Sequence, residues 1–124
     1  MSFFANCGLF GIEEDHIESS LSLDERFVPH PETSFIFQMQ GDSMGPYIRN
    51  GDYVLVDRGL EVMPGALVIV DVMDDRICKQ YIEDPKLGRL LRSFNPKYKD
   101  ILLTEETEVR FFGRVRLLLR EVRC

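Results

Sequence analysis

From Phe35 onward, apolar residues recur in short runs closed by turn residues, with the period of strands. Phe35-Ile36-Phe37-Gln38-Met39-Gln40 is rich in strand formers and stops at Gly41-Asp42. Asn50-Gly51-Asp52 is a strong turn signal, and Tyr53-Val54-Leu55-Val56-Asp57 after it is a short apolar strand. Met63-Pro64-Gly65 turns the chain again. Ala66 to Met73 is almost continuously apolar, the pattern of a strand buried on both faces. Asp74-Asp75 turns the chain into a strand from Arg76 to Ile82. Arg89 to Ser93 gives another strand, and Asn95-Pro96 a loop. In the last segment Val109, Phe111, Val115, Leu117 and Leu119 are apolar, while Arg110, Arg114, Arg116 and Arg120 are basic. One face therefore meets a core and the other meets water. Gly113 interrupts the alternation and marks a candidate bulge. Together these runs predict a mainly β domain of short, mostly antiparallel strands.

The front of the chain has a different texture. Gly8 and Gly11 punctuate it, and Glu13 to Leu23 has helical character through Ile12, Ile17 and Leu21. That is only about three turns, marginal in isolation. Pro29 and Pro31 flank His30 and break any regular element. The expected organisation is an extended N-terminal arm over residues 1–30 and a β-rich domain over residues 31–124.

Charge sharpens that division. Residues 1–42 hold eight acids and one base, whereas residues 43–124 hold 13 acids and 14 bases. The arm therefore carries the acidity, and the chain as a whole has a net charge of −6. An acidic protein repels a phosphate backbone, so direct DNA binding is not expected. Cys7, Cys78 and Cys124 are odd in number and widely spaced, with no C-x-x-C, which points to a cytoplasmic setting. No apolar run of about 18 residues predicts a membrane span. The first residues lack the basic start of a signal peptide. Glu13, Glu14, Asp15 and His16 cluster on the arm but show no fixed ligand geometry, so they read as solvated and no metal or cofactor is expected.

Two residues carry candidate chemistry. Ser43 lies in the turn Gly41-Asp42-Ser43-Met44, and Lys79 lies in the strand-like run Arg76-Ile77-Cys78-Lys79-Gln80-Tyr81-Ile82. A serine hydroxyl is a weak nucleophile until a base takes its proton. Histidine is the usual base, but His16 and His30 both lie in the arm. A lysine titrates at about 10.4 in water, and burial lowers that value by penalising the charged form. Lys79 shares its strand face with Ile77 and Tyr81, which favours burial. Two plainer readings stand beside this one: a lysine on an edge strand that reaches out to water, and an ordinary turn serine. If the turn is catalytic, the backbone N–H groups of Ser43 and Met44 could converge as an oxyanion hole. Cys78 points to the opposite face from Lys79 and reads as packing.

Gly41-Asp42-Ser43-Met44, then Pro46 and Ile48, then Gly51-Asp52 and Val54-Leu55-Val56-Asp57 resembles the signature of the LexA/UmuD family of self-cleaving Ser/Lys proteases, peptidase family S24. Gly65, the apolar strand 66–73 and Lys79 fit the family's next segment. The resemblance covers roughly residues 7–120. It implies a LexA/signal-peptidase-like β domain, a Ser43/Lys79 dyad, and Cys7-Gly8 as the scissile bond. Repressors of the family tend to use Ala-Gly and carry a DNA-binding helix-turn-helix, for which the six residues before Cys7 leave no room. Cys-Gly is the bond of the UmuD branch, which His30-Pro31 also resembles.

That branch implies an SOS-response protein. Its cleavage is stimulated by a RecA filament on single-stranded DNA. Its trimmed form, a homodimer, joins a Y-family polymerase subunit in error-prone translesion synthesis. Here the segment before the scissile bond is shorter than usual for the branch, which bears on any sliding-clamp contact. The expected reaction is attack of Ser43 on the Cys7 carbonyl, with Lys79 taking the serine proton and passing it to the Gly8 amine. Gly8 suits the position after the scissile bond, since a residue without a side chain enters a tight groove. The rival readings are the self-cleavage domain of a LexA-like or phage repressor, a signal-peptidase relative, and an inert β interaction module.

Overall fold

The computed structural model describes residues 20–122. They form one short α-helix, α1 (Leu23–Phe27), a 3-10 turn at Pro31–Thr33, and seven strands: β1 (Ser34–Gln38), β2 (Tyr53–Asp57), β3 (Leu67–Val72), β4 (Asp75–Asp84), β5 (Gly88–Arg92), β6 (Ile101–Leu102) and β7 (Val109–Leu119). All seven join one sheet in the order β1-β2-β7-β3-β4-β5-β6, and every neighbouring pair is antiparallel. The mainly β, antiparallel expectation is what the fold shows. The helical character read over Glu13 to Leu23 falls largely outside the described residues. Where description begins, Ser20–Ser22 are not helical, and α1 starts at Leu23 with Ser22 as its cap. The Ser22 hydroxyl accepts the Glu25 N–H over 3.3 Å, which satisfies one of the donors a helix start leaves open.

The strands form where the apolar runs lie, and β3 shows why its run is unbroken. Ile69 packs with Met44, Ile48, Val54, Val56 and Cys78 on one side of the sheet. Val68, Val70 and Val72 pack with Tyr81 and Leu91 on the other. Both faces of β3 are thus covered, and alternation would have exposed half of it. Val68 and Val70 are fully buried, worth about 1.5–3 kcal/mol each relative to exposure.

Two local expectations shift. The hairpin turn between β3 and β4 is Met73-Asp74, not Asp74-Asp75: Val72 pairs with Asp75, and both loop residues have positive φ, 50° and 76°. A two-residue loop of that kind matches the twist of the flanking strands, so Asp75 becomes the first residue of β4. In β7 the simple odd-even alternation also fails. Its pairing slips once against β3, leaving Phe112 as the extra residue, and once against β2, leaving Arg116. Each slip turns the following side chains over. Val109 and Phe111 accordingly pack on one core, and Phe112, Val115 and Leu118 on the other. Gly113 sits between the two irregularities.

Candidate active site

Ser43 rides on a turn anchored from both sides. Below, the Met44 side chain is 2% exposed and lies in the core. Along the chain, the Gly45 N–H donates to the Asp42 carbonyl over 3.0 Å, and the Ile48 N–H to the Met44 carbonyl over 2.9 Å. Gly41 opens the turn at φ +91°, a backbone region that suits glycine, and its N–H donates to Asn50 Oδ1 over 2.9 Å.

A second segment, between β5 and β6, clasps the turn from outside. The Asn95 N–H donates to the Ser43 carbonyl over 2.9 Å. Asn95 Nδ2 donates to the Asp42 carbonyl over 3.0 Å. The Tyr98 hydroxyl donates to the Asp42 carboxylate, and that bond holds the phenol above its ordinary pKa. None of the hydrogen bonds among the described residues uses the N–H of Ser43 or of Met44. Among the described residues neither donor has a partner, which is one condition an oxyanion hole would require.

Lys79 comes to this turn from β4, which is flanked by β3 and β5 and is not an edge. It pairs with Val68, and its face neighbours Ile77 and Tyr81 belong to the same apolar core. The lysine is 8% exposed. Its Nζ lies 2.8 Å from Ser43 Oγ and 2.9 Å from Ser93 Oγ, with the Tyr98 ring centroid at 5.6 Å. Among the described residues no carboxylate forms an ion pair with it. Burial pulls its amine below the ordinary value of 10.5, because the charged form loses solvation with no anion to replace it. Next door, burial pushes the Cys78 thiol up to about 12, which suits packing and not reactivity.

The pair opens on a cleft of about 340 Å³. One wall is Phe37, Gln38, Met39 and Gln40, and the other is Arg76, Ile77, Cys78 and Lys79, with Ser43 between them. A larger hollow of about 780 Å³ lies around Asp71, Met73, Asp74, Glu108 and Arg110. It offers neither of the two residues, so the smaller cleft is the candidate site. Arg76 lines both, held by a bidentate pair with Asp71 at 2.7 and 3.0 Å.

The structure brings Ser43 and Lys79 into contact, with Met44 next to Ser43 in the same turn. Cys7 and Gly8 lie outside the described residues, as do Glu13, Glu14, Asp15 and His16. Ser93, Asn95 and Tyr98 were not singled out from the sequence. A signal existed for Ser93. The β4–β5 hairpin pairs Asp84 with Gly88 and Gln80 with Arg92, so one further step sets Ser93 opposite Lys79. No metal-ligand cluster occurs among the described residues, and no helix there is long and apolar enough to cross a membrane.

Chemically, a buried amine against a turn hydroxyl can take that hydroxyl's proton, and two N–H donors without a partner among the described residues could hold an anion beside it. The sequence model of the Peptidase S24-like family matches residues 3–116. With that match spanning nearly the whole chain, the protein belongs to the S24-like family of serine peptidases.

Proposed function

We propose that this protein is a self-cleaving Ser/Lys endopeptidase that cuts its own Cys7-Gly8 bond. The observation that carries the reading is the 2.8 Å contact between Lys79 Nζ and Ser43 Oγ at the wall of a cleft. Neutral Lys79 accepts the Ser43 proton as Oγ bonds to the Cys7 carbonyl carbon. The carbonyl electrons move onto oxygen, where the N–H groups of Ser43 and Met44 receive them. Collapse breaks the Cys7-Gly8 C–N bond, and Lys79 returns the proton to the leaving Gly8 amine. Water then frees the acyl group from Ser43. Burial lowers the pH at which Lys79 becomes neutral, the direction a general base in these steps needs.

We further propose the UmuD-like role for the product. A RecA filament on single-stranded DNA stimulates cleavage by favouring the docked arm. The trimmed domain, as a homodimer in the cytoplasm, then acts with a Y-family polymerase subunit in translesion synthesis after DNA damage. Cys7-Gly8 and the resemblance at His30-Pro31 support this branch over the repressors.

The test is mass spectrometry of purified full-length protein after incubation at pH 7 and pH 10. The expected result is a fragment beginning at Gly8 that forms faster at pH 10 and is absent from Ser43→Ala and Lys79→Ala. The same fragment from either variant would overturn the dyad. Cleavage unchanged by RecA, ATP and single-stranded DNA would remove the damage-response role.

A further inference from the structure

Three aromatic rings and two guanidinium groups meet at the end of the cleft that Arg76 lines. Arg58 and Arg76 each hold the guanidinium carbon 4.4 Å from the Phe112 ring centroid. Phe35 and Phe37 meet the same ring edge to face, at 5.2 and 5.3 Å. Phe35 is 41% exposed, so the cluster opens to solvent. The two arginines differ in one respect. Arg76 is committed to Asp71 by its bidentate pair. The Arg58 side chain is fixed without an anion, its Nε donating to the Phe112 carbonyl over 2.9 Å. Among the described residues no carboxylate pairs with Arg58, and no hydrogen bond uses its two Nη groups. A guanidinium held in this way keeps donors for a planar anion. Asp74 and Glu108 line the larger hollow with Arg110, and Arg58 is not part of that wall.

We propose that Arg58, seated on Phe112, is the docking point for the acidic stretch Glu13-Glu14-Asp15 of the chain's own arm, and that this contact holds Cys7-Gly8 at Ser43. The inference rests on the self-cleavage reading above. Charge is the first argument. Residues 1–42 hold eight acids and one base, and the acids begin five residues after Gly8, at Glu13. Spacing is the second. Five extended residues reach about 16 Å, and the three steps of β4 from Lys79 to Arg76 cover about 10 Å, with Phe112 and Arg58 beyond. Gly8 at Ser43 therefore leaves Glu13 and Glu14 within reach of Arg58. Direction is the third. Ser34 opens β1 opposite Asp57, and the Arg58 N–H donates to the Thr33 carbonyl over 2.9 Å, so the chain enters the sheet beside Arg58. Ser43 lies past the other end of β1, which is an edge strand. An arm returning from that entry to Ser43 along the open edge passes Phe35 and Phe37 on its way. The acids thus meet the arginine that has no anion, and the scissile bond is presented at high effective concentration.

Two measurements on full-length protein test this. The first follows self-cleavage at pH 10, where arginine keeps its charge, in 50 and 500 mM salt. At low salt Arg58→Glu and Glu13→Arg/Glu14→Arg should each be slower by about fivefold, the upper range for a partly exposed ion pair. Combining them should restore most of the rate, a rescue that damage to the fold cannot produce. High salt should slow wild type toward the single variants, because it screens exposed charges. Lys86→Glu makes the same charge change on the exposed β4–β5 turn and should cleave as wild type does. The second measures hydrogen exchange at pH 7 in uncleavable Ser43→Ala protein. Amides of residues 9–18 should exchange more slowly there than in Ser43→Ala/Arg58→Glu. Arg58→Glu with the wild-type rate would overturn the proposal, and so would slow variants that the swap does not rescue. Wild type that cuts added Ser43→Ala protein as fast as itself would also overturn it, by assigning the surface to a second copy's arm. If Arg58→Glu does not fold, Arg58→Gln takes its place, and the arm variant should then add no further loss. Wild type that never cleaves would count against the self-cleavage reading instead, and hydrogen exchange would still decide whether Arg58 holds the arm.

Discussion

Asn95 holds Ser43 in place from outside the turn that carries it. Its backbone N–H donates to the Ser43 carbonyl over 2.9 Å, and its side chain donates to the Asp42 carbonyl over 3.0 Å. The Ser43 turn is therefore cross-linked to a segment far along the chain, the same segment that puts Ser93 against Lys79. Asn95→Ala removes the side-chain bond and keeps the backbone one. Its self-cleavage should slow by about tenfold, because small misplacements of reacting groups are costly. A gel time course at pH 10 measures this, and Asn95→Ala cleaving at the wild-type rate would show that the turn holds itself.

Lys79 should leave its mark on stability as well as on rate. Its amine is neutral at a lower pH in the folded protein than the ordinary 10.5, because it is buried. Below the folded value both states carry the proton, and burying the charge is a full penalty. Between the folded value and 10.5 the unfolded chain binds a proton that the native protein does not, so unfolding free energy rises with pH. Above that window the penalty is gone. Urea titrations should show this rise in Ser43→Ala protein and not in Ser43→Ala/Lys79→Met. Parallel pH dependences would mean that Lys79 is not shifted.

Gly113 is required by close approach. A Cβ built there would lie 2.6 Å from Val56 Cγ1 and 3.4 Å from the Arg58 Cα. Val56 is fully buried and cannot retreat without disturbing the core. Gly113→Ala should therefore destabilise the fold by about 1–3 kcal/mol, the usual range for overpacking. Chemical denaturation followed by circular dichroism would measure it, and an unchanged midpoint would contradict the packing.

Cys78 should be chemically silent. It is 3% exposed, and burial pushes its thiol up to about 12, so almost no thiolate exists at pH 8. Iodoacetamide on the native protein should leave the Cys78 peptide unmodified in a mass-spectrometric digest, while labelling in urea should be complete. Native labelling at Cys78 would mean that β4 opens readily.

Much of the fold can be read from local pattern. β2 spans Tyr53–Asp57 as its apolar run predicts, and β3 follows its continuous hydrophobicity. The Asp42-Ser43 turn and the apolar face of Lys79 are also local facts, since period-two side-chain direction needs only the strand. β6 is two residues long, too short to leave a periodic trace, and was not anticipated. The face changes along β7 were also hidden, because the extra residues at Phe112 and Arg116 exist only relative to partner strands.

The sequence by itself determined most of the strand segments, the acidity of residues 1–42, and the presence of a turn serine and of a strand lysine on an apolar face, since each depends on short-range pattern and residue type. Only the tertiary structure decided that they meet. Ser43 and Lys79 are 36 residues apart and reach 2.8 Å because β4 runs inside the sheet beside β3 while the Ser43 turn is clasped by the Asn95 segment. Strand order and register are set by how side chains fill two cores at once, and no stretch of chain carries that information alone. The same reason explains Ser93. As a residue it is an ordinary serine at a strand end, and it gains significance only when the β4–β5 register sets it against a buried amine.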